Sequence, residues 1–366
     1  MKHTHLVELL LASSFSAAVL LILLVVALLV CIRRRGRKPQ YDVEVTDQEN
    51  KKQSGETTGA EDLVRFQGGQ ELTVTDILDA PGEVIGKSNY GTLYKALLQR
   101  SNCVRLLRFL RPVCTAKVKD FGGVVQFLGC IRHPNLVPLL GFYAGPRGEK
   151  LLVHPFFRRG NLAHFIRGQR GNGESHKWTT IHRLSIGIAR GFDYLHTGLQ
   201  KPVIHGNLKS KNIVLDRSGS PCISDFGLHL LLNPTAAQEM LETSAAEGYK
   251  APELVKMKDA SEETDIYSLG IVLLELLSGK EPVNPNPTPD DEFYLPTSMR
   301  NAVLDRRIAD IYHPDILLDS GSESENSVRE ECIFKFFQLA MSCCSPSPSL
   351  RPNIKQVVCK LDEMGR

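Results

Sequence analysis

Leu9 to Ile32 is a run of 24 residues without a charge, and Arg33-Arg34-Arg35-Gly36-Arg37-Lys38 follows it at once. At ~1.5 Å per residue the run reaches about 36 Å as a helix, enough for a ~30 Å hydrocarbon core with some tilt. A secretory signal peptide fits less well, because the stretch is long, the basic residues follow it, and no small-residue cleavage pattern precedes them. Basic residues on the C-terminal flank predict that the bulk of the chain is cytoplasmic, with residues 1–8 as a short stub on the other side. From Pro39 to about Gln70 the chain is polar, Gly-rich and poor in large apolar residues, which predicts a flexible linker over 33–71. Apolar alternation begins near Leu72 and runs to the C-terminus, a length that suits two lobes better than one core.

Within that span Thr92-Leu93-Tyr94-Lys95-Ala96 and Cys103-Val104-Arg105-Leu106-Leu107 read as strands, and Phe121 to Ile131 as a helix. After Gly160 the pattern becomes mainly helical, with Ile181 to His196 and Asp265 to Leu277 the clearest segments. Pro282 to Pro289 and the Ser/Glu-rich Ser320 to Ser327 read as surface loops. The expectation is an α+β chain: a small β-rich lobe over 72–153, then a helical lobe over 154–366.

Charge and cysteine usage narrow the function classes. The net charge of +3 comes largely from the basic cluster beside the apolar run, which suits anionic inner-leaflet lipid and gives no reason to invoke nucleic acid. Nine cysteines are scattered without metal-ligand spacing and read as reduced residues of a cytoplasmic domain.

The chemistry sits in an ordered series of motifs: His205-Gly206-Asn207-Leu208 with Lys209 and Asn212, then Asp225-Phe226-Gly227, Ala251-Pro252-Glu253, Asp265 in Thr264-Asp265-Ile266-Tyr267-Ser268-Leu269-Gly270, and Arg351-Pro352. Order and spacing resemble the helical lobe of protein kinases. The phrasing of Arg132-His133-Pro134-Asn135-Leu136-Val137 and Glu149-Lys150-Leu151-Leu152-Val153 is similar to the plant leucine-rich-repeat receptor-like kinases. The resemblance implies a bilobal protein-kinase fold behind a single transmembrane helix.

It also implies a damaged active site. Asn207 stands where the family has the aspartate that takes the substrate hydroxyl's proton, and an amide cannot take up a proton near neutral pH. Gly206 replaces the arginine that grips a phosphorylated activation segment, and Ala246 lacks the threonine hydroxyl set against the catalytic aspartate. The glycine-rich loop reads Gly86-Lys87-Ser88-Asn89-Tyr90-Gly91, with Ser88 in place of the middle glycine. Counting without a gap from Ala96 puts Leu107 at the phosphate-binding lysine. Counting back from His133 puts Gln126 at its glutamate partner. Arg105 then falls over the adenine ring and Arg108 on the opposite strand face. Phe157 belongs to the same degenerate pocket. Asn212 and Asp225 survive as the family's Mg²⁺ ligands, while Phe226, Gly227, Glu253, Asp265 and Arg351 survive as scaffold.

The expectation is therefore a plasma-membrane pseudokinase that requires no cofactor, with ATP and Mg²⁺ binding weak or absent. Its partners would be the membrane and other receptor-like kinases or cytoplasmic signalling proteins. A slow Ser/Thr kinase and an ATP-binding switch without turnover stand as alternatives.

Overall fold

Residues 62–116, 118–168, 174–286, 292–317 and 323–365 are described by the computed structural model. They fall within one unit, Gly59–Arg366. The stub, the expected membrane helix at 9–32 and most of the linker lie outside them. Among the described residues no helix is long and apolar enough to cross a membrane.

The first lobe is built on a six-stranded sheet. Its strands are β1 (Asp62–Arg65), β2 (Gly82–Ser88), β3 (Gly91–Leu98), β4 (Cys103–Leu110), β5 (Gly141–Ala144) and β6 (Lys150–Pro155), in the order β1-β5-β6-β4-β3-β2. The lobe thus starts ahead of Leu72: β1 pairs antiparallel with β5, Leu63 opposite Tyr143, and Phe66 is buried. A four-residue edge strand carries too little period-two pattern to stand out beside a polar linker. A short helix, α1 (Val74–Leu78), is N-capped by Thr73, whose side chain accepts from the Asp76 N–H. It drops Ile77 onto one sheet face beside Leu72, Ala96, Leu98, Leu107 and Val153, a small core separate from the main one. Helix α2 (Val118–Cys130) presents Phe121, Val125 and Leu128 to the main core together with Leu110 of β4. Successive residues of β4 face opposite cores, so the register of this strand decides what reaches the cleft.

The second lobe wraps helices around two buried ones. After α3 (Leu162–Arg167), helix α4 (Trp178–Thr197) contributes Leu184, Ile188 and Phe192, each fully buried. The hairpin β7 (Ile213–Leu215) and β8 (Pro221–Ile223) follows, then α5 (Pro234–Ala246). Helix α6 (Glu262–Ser278) is apolar around nearly its whole circumference and is the centre of the lobe. A capping box of Ser261 and Thr264 fixes its start and the left-handed Gly279 ends it. Helices α7 (Leu295–Leu304), α8 (Glu323–Cys343) and α9 (Ile354–Met364) complete the layer. Part of the expected loop at 320–327 is helical from Glu323 onward. Its polar composition misled: the apolar anchors Ile333, Phe336 and Ala340 lie in the second half of that helix.

Candidate functional site

The cleft between the lobes opens on a cavity of about 510 Å³ lined by Gly86, Ser88, Tyr90, Gly91, Arg108, Asn207, Lys209, Asn212, Asp225 and Glu247, among others. The glycine-rich loop is the turn joining β2 to β3. Gly91 is required there by close approach, since a Cβ on it would lie 2.3 Å from the Phe109 carbonyl oxygen. Ser88 Oγ donates to the Gly91 carbonyl at 3.2 Å, tightening the turn. Tyr90 folds inward, its hydroxyl against the Arg108 guanidinium, and burial raises its pKa despite that cation.

The residue of β4 that enters the cleft is Arg108, not Leu107. Leu107 is 4% exposed and belongs to the small core on the far sheet face. Arg105 shares that far face, opposite Pro155, and turns its Nη1 toward the Val104 carbonyl at 3.4 Å. The ungapped count failed at the β3–β4 turn: with Ala96 facing Arg105, the residues that follow stand one place later than assumed. A slip of one residue exchanges every side chain between sheet faces. Gln126 is also misplaced. It is exposed on α2, about 100° round from the buried Val125. The apolar face of α2 therefore supplies no carboxylate to a cation in the cleft. Phe157 is half-buried just after β6 and is not among the cleft-lining residues.

Arg108 finds its anion elsewhere. Its Nη2 lies 2.6 Å from both Oδ1 and Oδ2 of Asp225, and the two side chains are 6% and 12% exposed. Burial alone would lower the Arg108 pKa; Asp225 and the Tyr90 hydroxyl more than offset it, and the net shift is upward. Behind the pair only about 30 Å³ of cavity remains, walled by Leu128, Leu152, His154 and Phe226. Burial there depresses the pKa of His154 to about 4, while its Nδ1 lies 3.0 Å from the Pro138 carbonyl.

The loop at 204–212 is braced from below. Asp265 accepts from the N–H groups of His205 (2.7 Å) and Gly206 (2.9 Å) and lies 3.0 Å from His196 Nε2. Burial opposes its ionisation, yet His196, His205 and these donors leave its pKa lowered. Gly206 has φ +71°, and a Cβ there would come within 3.0 Å of His229 Nδ1 and 3.2 Å of Met257 Sδ. His229 and Met257 thus crowd the place from which an arginine would project. Asn207 is 4% exposed, and its Oδ1 has no hydrogen-bond partner among the described residues. Asn212 turns its amide to donate to the Asn207 carbonyl at 2.9 Å.

Lys209 and Lys211 are both taken by Glu247, at 2.6 and 3.0 Å. Burial of Glu247 would raise its pKa, but the two lysines lower it overall. This carboxylate, just past α5, was missed in the sequence, where an acid beside Ala246 carried no motif signal. Nearby, residues 113–116 are stitched to the segment after Gly227. Ala116 N–H donates to the Leu231 carbonyl (3.0 Å), Asn233 N–H to Cys114 (2.8 Å) and Asn233 Nδ2 to Val113 (2.7 Å). Further down, Arg351 makes two parallel bonds to Glu253 at 2.6 and 2.8 Å. Phe226 is buried, and Gly227, at φ +66°, leaves no room for a Cβ against Leu128.

As the groups stand, both oxygens of Asp225 are held by an arginine, the Asn212 amide is turned to backbone, and Lys209 holds an internal carboxylate. A Mg²⁺–nucleotide does not fit this arrangement unless those contacts are first broken.

Residues 80–361 match the family described as protein tyrosine and serine/threonine kinase. Among curated proteins, the chain is 38% identical over 323 residues to the kinase-like protein TMKL1 of Arabidopsis thaliana, covering 88% of this chain and 47% of that protein. It is 37% identical over 290 residues to an Arabidopsis thaliana protein named "Probable inactive receptor kinase", covering 79% and 42%. The chain thus spans about half the length of the curated relatives it matches. Among solved structures, the maize SIRK1 kinase domain bound to AMP-PNP is similar with a TM-score of 0.72 at 28% identity, covering 83% of this chain and 100% of that one. The pseudokinase domain of BIR2 gives 0.62 at 31% identity, covering 77% and 80%. With a β-sheet lobe, a helical lobe and the motifs in order across most of its length, this chain belongs to the protein tyrosine and serine/threonine kinase family, among relatives that are leucine-rich-repeat receptor-like kinases.

Proposed function

We propose that this chain is a membrane-anchored receptor-like pseudokinase that acts as a signalling scaffold or allosteric partner of active receptor kinases, with little or no phosphoryl transfer. The observation that carries the reading is the Arg108–Asp225 pair. A guanidinium on a strand of one lobe neutralises the carboxylate that the family uses for Mg²⁺, at 2.6 Å from each oxygen. The cation is tethered, so it competes with a free divalent ion without loss of translational freedom. The fixed basic group, the metal ligand and the general base are then changed or occupied together, which removes the positioning and charge stabilisation that phosphoryl transfer relies on. Relatives named as kinase-like or inactive support the reading by kinship.

A slow Ser/Thr kinase is the second reading, and retention of Asp225, Asn212 and Lys209 around a cavity of about 510 Å³ is what favours it. Each of the three is already engaged by another residue, which weighs against it. A thermal-shift titration of the purified chain with ATP, with and without Mg²⁺, separates the possibilities. The pseudokinase reading expects no rise in melting temperature, and a rise without phosphate transfer indicates a nucleotide switch. Mg²⁺·ATP-dependent phosphate incorporation that vanishes in Asp225→Ala overturns it. Anchoring at the plasma membrane rests on the apolar run 9–32 and its basic flank, and a fluorescent fusion that loses the membrane when that run is deleted is the check.

A further inference from the structure

Beside the nucleotide cleft, with which it shares Glu239, α5 and the stretch Val255–Lys258 enclose a groove of about 820 Å³ whose floor and walls include His229, Leu230, Leu232, Ala237, Val255 and Met257. Large apolar side chains stand uncovered along it: Leu230 is 41% exposed and Val255 67%. Gln238 braces the groove, donating from Nε2 to the Val255 carbonyl (3.1 Å) and accepting from the Met257 N–H (3.2 Å). The walls are therefore tied to each other at fixed spacing. No arginine lines this groove. The left-handed Gly206 behind it contributes no side chain, and His229 and Met257 close that end.

The rims carry opposite charge. Glu239 and Glu242 project from α5, and Lys256 and Lys258 from the opposite wall. None of the four makes an ion pair among the described residues. An apolar trough between an acidic and a basic rim is complementary to a segment of the converse pattern. We infer that this groove docks a short segment of a partner protein, with spaced large apolar side chains entering the trough, basic residues along the α5 rim and acidic residues along the Lys256 rim. The groove offers no guanidinium fork to grip a phosphate bidentately, and Glu239 and Glu242 repel one placed along the α5 rim. The inference rests on the scaffold reading in that it names the surface a partner would use.

The test is selection of short random peptides displayed on phage against the full purified chain, without nucleotide, with counter-selection on Val255→Asp. Val255 is so exposed that this change leaves folding intact, and Leu230→Asp provides an independent variant. Selected peptides are expected to combine spaced large apolar residues with both Lys/Arg and Asp/Glu flanks, and to bind either variant about tenfold more weakly. Glu239→Lys/Glu242→Lys is expected to shift preference toward peptides with acidic residues on both flanks, and a phosphate added on the basic flank of a selected peptide, where it meets the α5 rim, to weaken it. Recovery only of peptides that bind Val255→Asp and Leu230→Asp as tightly as the unmodified chain, or that tighten when phosphate is added on their basic flank, overturns the inference. Phosphoryl transfer by the chain would sink the scaffold reading while leaving this binding result standing.

Discussion

The Arg108–Asp225 pair makes a quantitative prediction about stability. Exposed ion pairs are worth about 0–1 kcal/mol, but breaking a buried one leaves an uncompensated charge at a cost of about 3–5 kcal/mol. With side-chain exposures of 6% and 12%, this pair falls in the buried class. Arg108→Met keeps the strand's packing volume and leaves Asp225 alone, so it should cost about 3 kcal/mol or more. Asp225→Asn keeps a residue that tolerates the observed φ of +64°, and strands the guanidinium instead. The double variant removes both charges, so its loss should be smaller than the sum of the single losses by about 2 kcal/mol or more. Urea unfolding of the four proteins measures the cycle. At about 2–4 °C per kcal/mol, the Arg108→Met melting point should drop by about 10 °C. If both single variants cost under about 1 kcal/mol and their effects add, the pair is no better than a surface contact. The cation would then not be holding Asp225.

His154 is held neutral by burial, with a pKa near 4 against an ordinary 6.5, so its contribution to stability is full above 6.5 and is lost as pH falls toward 4. At 1.36 kcal/mol per pH unit, the difference in urea stability between wild type and His154→Gln should change by at most about 3 kcal/mol across that window, and less if solvent reaches the ring. Asn233→Ala removes both the cap on α5, where Oδ1 accepts from the Ala236 N–H, and the side-chain bond to Val113. A loss of about 1–2 kcal/mol and faster amide exchange along Pro234–Ala246 are expected, with unchanged exchange in α6. Gly206→Ala forces a side chain into φ +71° against His229, and should lower stability by about 1–2 kcal/mol in the same urea assay.

Much of the fold was legible because its signals are local. The apolar periods of α4 and α6 gave those helices to within a few residues, and the motifs fixed the order of the helical lobe. Register was not local. Whether Leu107 or Arg108 faces the cleft depends on the length of the turn at Gln99–Asn102, which no periodicity records, and one residue there reverses the chemistry inferred for β4. Gln126 failed similarly: a position counted from a distant motif was off the buried face by one residue, and on a helix that is enough. Glu247 and His229 were invisible because each acts by filling a place that another residue has vacated. Such compensation is a property of packing rather than of spacing.

The corrected register also changes what an attempt to restore catalysis should do. On the ungapped count, a lysine at position 107 with aspartate at 207 rebuilds the lost groups. In the fold, Leu107 is packed among Leu72, Ile77, Tyr143 and Val153, so Leu107→Lys buries an ammonium among apolar side chains. That should cost about 3 kcal/mol or more, or leave the lysine neutral, and it places nothing in the cleft. The reversal that geometry supports is Arg108→Lys with Asn207→Asp. Even this is incomplete: α2 offers no carboxylate to draw the lysine off Asp225, and the buried Asn207 Oδ1, without a hydrogen-bond partner among the described residues, would become an unpaired anion. Arg108→Lys/Asn207→Asp should therefore fold less stably than wild type and incorporate no phosphate from Mg²⁺·ATP. Adding Ala246→Thr and Val125→Glu addresses only part of the deficit, because Glu247 still holds Lys209. Measured phosphate incorporation by the double variant, abolished by Asp225→Ala, would show that the internal ion pairs yield to nucleotide and that the cleft is closed far more weakly than its distances imply.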